Sequence, residues 1–234
     1  MRNLTLKALV LTAIICFTSL ISKAQIGYNY AQFDAGVAAS LNQVYGDAQS
    51  ITKTVSPRFS LNFNQTPFLN YILEGEGGKL KGGQLSDPTS RVFSNSYSAF
   101  AFRVQLQFGE IMDYSDSPFK NGLKSLYISS GVGYVVNHLT TIRTSRHIAD
   151  YYTPGENNSN EIFIPARIGY EFKFYNQFDE PSVKIDLAYQ YNFVMGDELD
   201  GFKAGKANDQ FSQICLGVKF AIGSKISYRK QITY

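Results

Sequence analysis

Cysteine is scarce in this 234-residue sequence, and long hydrophobic runs are lacking after the first two dozen residues. The two cysteines are Cys16 and Cys215. Because Cys16 lies in a segment that we expect to be cleaved, the mature chain cannot form an internal disulfide and depends on backbone hydrogen bonds and packing. No later stretch approaches the ~18 consecutive apolar residues of a membrane-spanning helix, which argues against a helical membrane protein.

The first 24 residues have the pattern of a secretory signal peptide. Arg2 and Lys7 precede the uncharged apolar segment Ala8–Ile21, and Ser22-Lys23-Ala24 then places small residues at the −3 and −1 positions. We therefore expect export, with residues 1–24 removed and a mature chain that begins at Gln25.

An excess of charge of either sign is lacking once this segment is removed. The whole sequence contains 22 basic and 19 acidic residues, and three of the basic residues lie in the first 24 positions. The mature chain is therefore formally neutral, which gives no reason to expect a nucleic-acid partner.

The mature sequence does contain strict alternation of apolar and polar residues. The clearest example is the pair of segments Glu161–Phe174 and Val183–Phe193, joined by a turn that contains Asn176, Asp179 and Pro181. A period of two residues predicts β-strands, and these are as long as the 9–11 residues with which a tilted strand crosses a bilayer. Six further strands are predicted at about Tyr30–Leu41, Val55–Phe63, Phe68–Glu76, Ala99–Phe108, Leu126–Asn137 and Gln213–Ile222.

The predicted connections alternate in length, which favours an up-and-down barrel with its long loops on one rim. Long loops are expected at Asn42–Lys53, from the glycine-rich Gly75–Gly83 to Ser96, at His138–Asn160 and at Met195–Gln210. The connection Gly109–Lys124 departs from the pattern, and we expect irregular or helical structure there. The barrel is expected within residues 25–222, and Gly223–Tyr234 either continues the last strand or forms a basic tail.

The composition of the polar face indicates which face points inward. A soluble lipocalin-like barrel has the same alternation with its apolar face inside. Here the polar face contains many small residues, such as Gly131, Gly133 and Gly169, which suit a crowded lumen better than a solvated surface. Aromatic residues on the other face gather near strand ends, as in the interfacial girdles of membrane barrels. We therefore predict an all-β, eight-stranded antiparallel transmembrane β-barrel.

These features resemble a known family. The signal ending in Lys23-Ala24-Gln25, the eight alternating strands and the last strand Gln213–Ile222 resemble the small outer-membrane β-barrels of the OmpA/OmpX type, as in the barrel families of Bacteroidetes. The resemblance implies an outer-membrane location, contact with outer-membrane lipid and a monomer. It covers nearly the whole mature chain but includes no catalytic motif.

The inward face also carries charge of both signs in near balance. Its charged residues are Asp34, Arg58, Glu74, Glu76, Arg103, Arg167, Glu171, Lys173, Lys184, Asp186 and Lys219. Unpaired charges are costly in a narrow, low-dielectric lumen, so we expect these residues to pair into a closed polar plug and not to line an open pore. The expected role is structural, or one of surface interaction through the long loops; an accessory barrel of a secretion or motility machine is an alternative.

Candidate sites for chemistry are few. The only histidines, His138 and His147, lie in the longest predicted loop, the latter near Ser145 and Asp150. An outer-membrane enzyme that uses His147 is an alternative, but no nucleophile motif accompanies it, and a solvated loop is the favoured interpretation.

The segment Gly196–Gly201 offers carboxylates that could bind calcium, but its spacing is not that of an EF-hand, and a hydrophilic loop is favoured. Cys215 is expected to be an inert buried thiol. We expect no cofactor, no metal and no enzymatic activity.

Overall fold

The computed structural model describes residues 28–113, 117–145, 147–148, 150–204 and 208–228. The predicted signal peptide, the cleavage site before Gln25 and residues 229–234 lie outside these ranges.

Eight long strands form one closed sheet. Their bounds are β1 (Tyr28–Tyr45), β3 (Thr54–Asn64), β4 (Leu69–Gly82), β5 (Val92–Gln107), β6 (Leu126–Ile142), β7 (Asn158–Tyr175), β8 (Pro181–Val194) and β9 (Gln210–Tyr228), and a two-residue strand, β2 (Ile51–Thr52), pairs with the end of β4. Each long strand lies antiparallel to its neighbours in the sequence, and β1 pairs with β9 to close the sheet. This confirms the predicted eight-stranded antiparallel up-and-down barrel.

The two rims of the barrel differ in the length of their connections. One rim has tight turns at 65–68 and 176–180, together with the longer connection 108–125. The latter contains a 3₁₀ turn, Phe108–Glu110, and a short helix, α1 (Pro118–Leu123), in agreement with the expected helical or irregular structure. The other rim carries the long loops 46–53, 83–91, 143–157 and 195–209. Within the described ranges, no helix is long and apolar enough to span a membrane.

Several strands extend further toward the long-loop rim than the sequence predicts. The glycine-rich segment expected to be a loop is part of β4, where Gly77 to Gly82 pair with Ser98 to Phe93 of β5. Because glycine has low β-propensity, the segment does not resemble a strand, yet the ladder with β5 supplies its hydrogen bonds. At Gly78 the missing side chain is required, since a Cβ there would overlap the Cβ of Ser56.

The other long loops are also shorter than predicted, because the strands beside them continue further than the apolar alternation does. Strand β5 begins at Val92 and not after Ser96, β6 runs to Ile142, and β7 begins at Asn158. The polar residues at these ends carry no apolar alternation, but they continue the backbone ladders that start within the barrel.

Strand β9 also continues past Gly223 and Ser224. Its last residues, Lys225 to Tyr228, pair with Ala31 to Tyr28 of β1 after a shift of register. Gly223 has a φ of +80°, a left-handed conformation that glycine adopts without strain. The segment therefore continues the last strand as far as Tyr228.

The apolar face of the barrel points outward. Phe59 and Phe100 are 64% and 63% exposed, whereas the neighbouring Arg58 and Arg103 are 2% and 1% exposed. A soluble lipocalin-like barrel would place its apolar face inside, so this orientation excludes that alternative.

The interior has two layers, and only one of them was predicted. Toward the tight-turn rim the lumen is polar and charged. Toward the long-loop rim it is filled by apolar side chains, which we name the outer plug: Val44, Leu80, Phe93, Val135, Leu139, Phe163, Val194, Leu199, Phe202 and Phe211. Leu199 and Phe202 come from the loop that joins β8 to β9, so this loop folds into the mouth of the barrel.

Candidate functional site

The centre of the polar layer is Glu74 on β4. Its carboxylate contacts three guanidinium groups: Arg58 Nη1 at 3.0 Å, Arg103 Nη2 at 2.8 Å and Arg167 Nη2 at 3.4 Å. These arginines come from β3, β5 and β7, and all four side chains are almost fully buried. One carboxylate therefore joins strands from opposite sides of the barrel.

A second group of ion pairs lies beside it. Lys219 Nζ is 2.8 Å from Glu171 and 3.8 Å from Asp186. Lys184 Nζ is 2.6 Å from Asp34 and 4.0 Å from Glu171. Each buried carboxylate in this group thus has at least one ammonium group within 4 Å, which offsets the cost of removing its charge from water.

The remaining two predicted charges lie at the edges of this layer. Glu76 is paired with Arg58 Nη2 at 2.5 Å and also accepts hydrogen bonds from Ser56, Tyr97 and Gln213. Lys173 Nζ donates to the Pro67 carbonyl at 2.9 Å and to Gln107 Oε1 at 2.7 Å. All eleven predicted charged residues therefore lie on the inner face.

Neutral side chains complete the polar layer. They were not among the residues that the sequence was used to predict, which were all charged. Gln190 Oε1 accepts a hydrogen bond from Arg167 Nε at 2.7 Å, Gln213 Oε1 accepts one from Arg58 Nη2 at 2.8 Å, and Tyr127 OH donates to Asp186 at 2.6 Å. In the alternation these residues occupy the same face as the charged residues. This position is the sequence signal from which their place in the polar layer could have been predicted.

Cys215 belongs to this layer and is buried. Its Sγ lies 3.6 Å from Ser40 Oγ and 3.7 Å from Arg167 Nη2, both of which are hydrogen-bond donors.

The long loops are hydrogen-bonded to one another, and we name them together the outer cap (46–53, 83–91, 143–157 and 195–209, as far as described). Arg91 donates to the Asp47 carbonyl at 3.0 Å, to Tyr151 OH at 2.6 Å and to Thr153 Oγ1 at 3.1 Å. Arg143 Nε donates to the Gly201 carbonyl at 3.2 Å. These bonds connect all four loops.

Two buried aspartates hold the loop 195–209 in place. Asp200 Oδ2 accepts from the backbone N–H of Asp47 at 2.7 Å, and Asp209 Oδ2 accepts from the N–H of Leu199 at 2.8 Å. Both side chains are almost completely buried, and a Cβ at Gly46 would meet both carboxylates. Burial, the largest cause, raises the pKa of Asp200 to about 7 and that of Asp209 to about 9, and the charge of Asp200 adds to the shift of Asp209.

The segment Gly196–Gly201 is a loop, as predicted, but its second half is buried, which the sequence does not predict. Leu199 and Asp200 are fully buried, because the first fills the outer plug and the second accepts backbone hydrogen bonds. Among the described residues, no group of three His, Cys, Asp or Glu side chains is placed to hold a metal ion.

His147, Ser145 and Asp150 are the loop residues that the alternative of an outer-membrane enzyme would use. His147 Nε2 lies 3.3 Å from the Leu85 carbonyl, and Ser145 Oγ donates to the Pro88 carbonyl at 3.0 Å. Among the described residues, no hydrogen bond or ion pair joins the His147 ring to Ser145 or Asp150. The ring of His138 points to the outer, exposed face of β6.

The closed sheet and its outward apolar belt decide where the protein resides. A bilayer requires every backbone N–H and C=O of a spanning segment to be satisfied within the protein, and a closed antiparallel barrel does this without free edges. An exposed belt that includes Phe59, Leu61 and Phe100 would be unstable in water. The chain is an outer-membrane β-barrel. Its outward apolar belt contacts the lipid.

No protein-family model matches the chain, and no curated protein sequence matches it. Among solved structures, Neisserial surface protein A is 14% identical over 85% of this chain and 100% of its own, with a TM-score of 0.46. The attachment invasion locus protein Ail of Yersinia pestis is 11% identical over 84% of this chain and 99% of its own, with a TM-score of 0.45. CarO2 of Acinetobacter baumannii is 13% identical over 80% and 97%, with a TM-score of 0.40.

Proposed function

We propose that this outer-membrane barrel is a monomeric, non-conducting protein that acts through its outer cap, as a structural or surface-interaction element of the envelope. The observation that carries the proposal is the set of hydrogen bonds from Arg91 and Arg143 that unite the four loops into one folded surface.

The lumen supports the non-conducting part of the proposal. Passage along the barrel axis would have to cross the ion pairs around Glu74 and then the outer plug, where Leu80, Leu199 and Phe202 have no exposed surface. Eight strands enclose an interior that side chains can fill, and here they fill it in both layers.

Planar-bilayer recording tests this closure. We expect no resolved conductance steps from the purified barrel, because neither layer offers a water-filled path. Steady, well-resolved steps from the wild-type protein would contradict the proposed closure.

The surface of the outer cap supports the interaction part. Cap residues Ile51 and Tyr152 are 47% and 61% exposed although the loops that carry them are held in place. A fixed surface with exposed apolar and aromatic groups loses little conformational entropy on binding, which is what a recognition surface requires.

A photo-crosslinking experiment in intact cells tests which rim meets a partner. A photoreactive residue replaces Tyr152 in the cap, and for comparison Phe119, an exposed residue of α1 at the tight-turn rim. We expect crosslinked adducts from position 152 that are missing from position 119. Adducts from position 119 alone would overturn the proposal and favour the alternative of an accessory barrel in an envelope machine.

A further inference from the structure

A small cavity lies inside the polar layer, between β1, β3 and β9. Its volume is about 20 Å³, which is room for one ligand of the size of a water molecule. Arg58, Asn62, Arg103 and Lys219 are among the residues that line it.

Three residues that line this cavity carry buried polar atoms that lack a partner among the described residues. These atoms are Arg58 Nε, Arg103 Nε and both polar atoms of the Asn62 amide. These three residues are 98% or more buried, so bulk water does not satisfy them. Three of these four atoms are donors, and buried donors are rarely left unsatisfied, so three of them in residues around one cavity indicate a shared acceptor.

The charges around the cavity are unequal. The lining contains four cations, Arg58, Arg103, Arg167 and Lys219, but two carboxylates, Glu74 and Asp186. Glu76 and Glu171, which lie outside the lining, also contact Arg58 and Lys219. The polar layer as a whole contains six cations and five carboxylates, which is a surplus of one positive charge.

We propose that this cavity is a binding site for one monatomic anion of the size of chloride. The Nε–H groups of Arg58 and Arg103 and the amide N–H of Asn62 donate hydrogen bonds to the anion, and its charge balances the single positive charge that the polar layer has in excess. The anion is then an integral part of the lumen, bound and not transported.

The size and the donors select this class of ligand. Sulfate and phosphate are too large for a cavity of about 20 Å³. A water molecule fits but carries no charge, so it would leave the excess positive charge of the polar layer uncompensated in a low-dielectric interior. The assignment rests on the closed lumen proposed above, because a conducting lumen would exchange the ion, and bilayer recording tests that closure separately.

Bromide provides a direct test. Crystals of the full barrel grown with bromide in place of chloride are measured at the bromine absorption edge. We expect an anomalous peak in the cavity, within contact distance of Arg58 Nε and Arg103 Nε. Peaks at the surface only, with ordinary water density in the cavity, would overturn the proposal.

A stability measurement provides a second test. At constant ionic strength, replacing sulfate by chloride should raise the unfolding temperature of the wild type, by about 5–10 °C when chloride reaches a hundredfold excess over its Kd. Asn62→Leu should abolish this chloride effect. The substitution removes an amide that has no partner among the described residues, so the barrel should still fold.

The matched control is Gln105→Leu. Gln105 is also fully buried on the inner face with both amide atoms unpartnered among the described residues, but it does not line the cavity. We expect this variant to keep the full chloride effect. Equal unfolding temperatures of the wild type in chloride and sulfate, or equal loss of the effect in both variants, would show that no specific anion site exists.

Discussion

Glu74 Oε2 accepts a hydrogen bond from Arg103 Nη2 at 2.8 Å, across two adjacent strands and inside the bilayer-spanning part of the barrel. The same carboxylate contacts Arg58 and Arg167, so the loss of Arg103 and the loss of Glu74 are not equivalent. Removing one arginine leaves Glu74 with two cations. Removing Glu74 leaves three guanidinium groups without the carboxylate they share.

We therefore predict that Glu74→Ala destabilises the barrel more than Arg103→Ala does. The expected losses are about 3–5 kcal/mol for Glu74→Ala, the cost of buried charge left without its partner, and about 1.5–3 kcal/mol for Arg103→Ala. Urea unfolding in lipid vesicles measures both. A larger loss for Arg103→Ala would contradict the shared role of Glu74, and Lys225→Ala, whose side chain is 51% exposed, serves as the control with a loss below about 1 kcal/mol.

The stability of the outer cap should decrease as the pH rises. The folded pKa values of Asp200 and Asp209, about 7 and about 9, lie above the ordinary 3.8, so the folded loop holds protons that the unfolded loop releases. This contribution is complete below about pH 4 and is lost as the pH rises through 9. The opening equilibrium changes by up to about a hundredfold per pH unit between about pH 4 and 7, where the folded loop holds two extra protons, and by about tenfold between about pH 7 and 9, where it holds one. Hydrogen-exchange protection of the Leu199 N–H, corrected for the intrinsic rate, measures it.

Variants of single aspartates separate this effect from general alkaline unfolding. Asp209→Asn keeps an oxygen acceptor for the Leu199 N–H but removes the charge, so the pH dependence of the protection between about pH 7 and 9 should disappear, whereas the part that Asp200 contributes at lower pH should remain. Asp150→Asn changes an exposed loop aspartate and should leave the pH dependence as in the wild type. A pH dependence between about pH 7 and 9 that survives in Asp209→Asn would contradict the assignment of this range to Asp209.

Phe202→Ala should weaken the outer plug. Phe202 is fully buried and its ring meets Phe93 edge to face, so truncation leaves a cavity at an expected cost of about 3–5 kcal/mol. Limited proteolysis of the loop 195–209 measures the effect as faster cleavage. Phe119→Ala, at a position that is 75% exposed, should cause almost no change in the same assay.

Gly131→Ala should impair assembly of the barrel. A Cβ at position 131 would overlap the Phe102 carbonyl oxygen and lie 2.7 Å from Arg103 Cα, and neither backbone atom can move without distorting β5. The expected cost exceeds the ~1–3 kcal/mol of ordinary overpacking. Refolding yield by gel mobility measures it, and Gly122→Ala is the matched control, because a Cβ there meets nothing within 4 Å. Equal yields would contradict the predicted close approach.

The sequence predicted the barrel because alternation carries two pieces of information at once. In β5, Arg103, Gln105 and Gln107 alternate with Phe102, Val104 and Leu106, which gives both the strand and the identity of its inner face. The small residues of the polar face then indicated that this face points inward, since small residues suit a narrow lumen. The inner position of the charged residues could be predicted from parity alone, but which cation contacts Glu74 depends on the stagger of non-adjacent strands.

The outer end of the barrel could not be predicted in the same way. Phe163 lies at an inward position of the alternation, but a single apolar residue among polar ones does not by itself predict an apolar layer. That layer also needs Leu199 and Phe202, which come from a distant loop and belong to the same buried cluster. Asp200 looks like an ordinary loop aspartate, because its burial depends on the backbone of Asp47, far away in the sequence. Long-range contacts between loops leave no periodic signal.

The seam between β1 and β9 determines how the protein can be assembled. It joins the two ends of the barrel sequence, from the pair Tyr28 and Tyr228 to the pair Tyr45 and Gln210, whereas every other seam joins strands that follow one another. Neighbouring hairpins can form early, but the sheet closes only after β9 has arrived. A chain that stops before β9 would not form a smaller barrel; it would keep β1 and β8 as open edges, which favour aggregation. Closure of the barrel therefore depends on β9, the strand that lies farthest from β1 in the sequence.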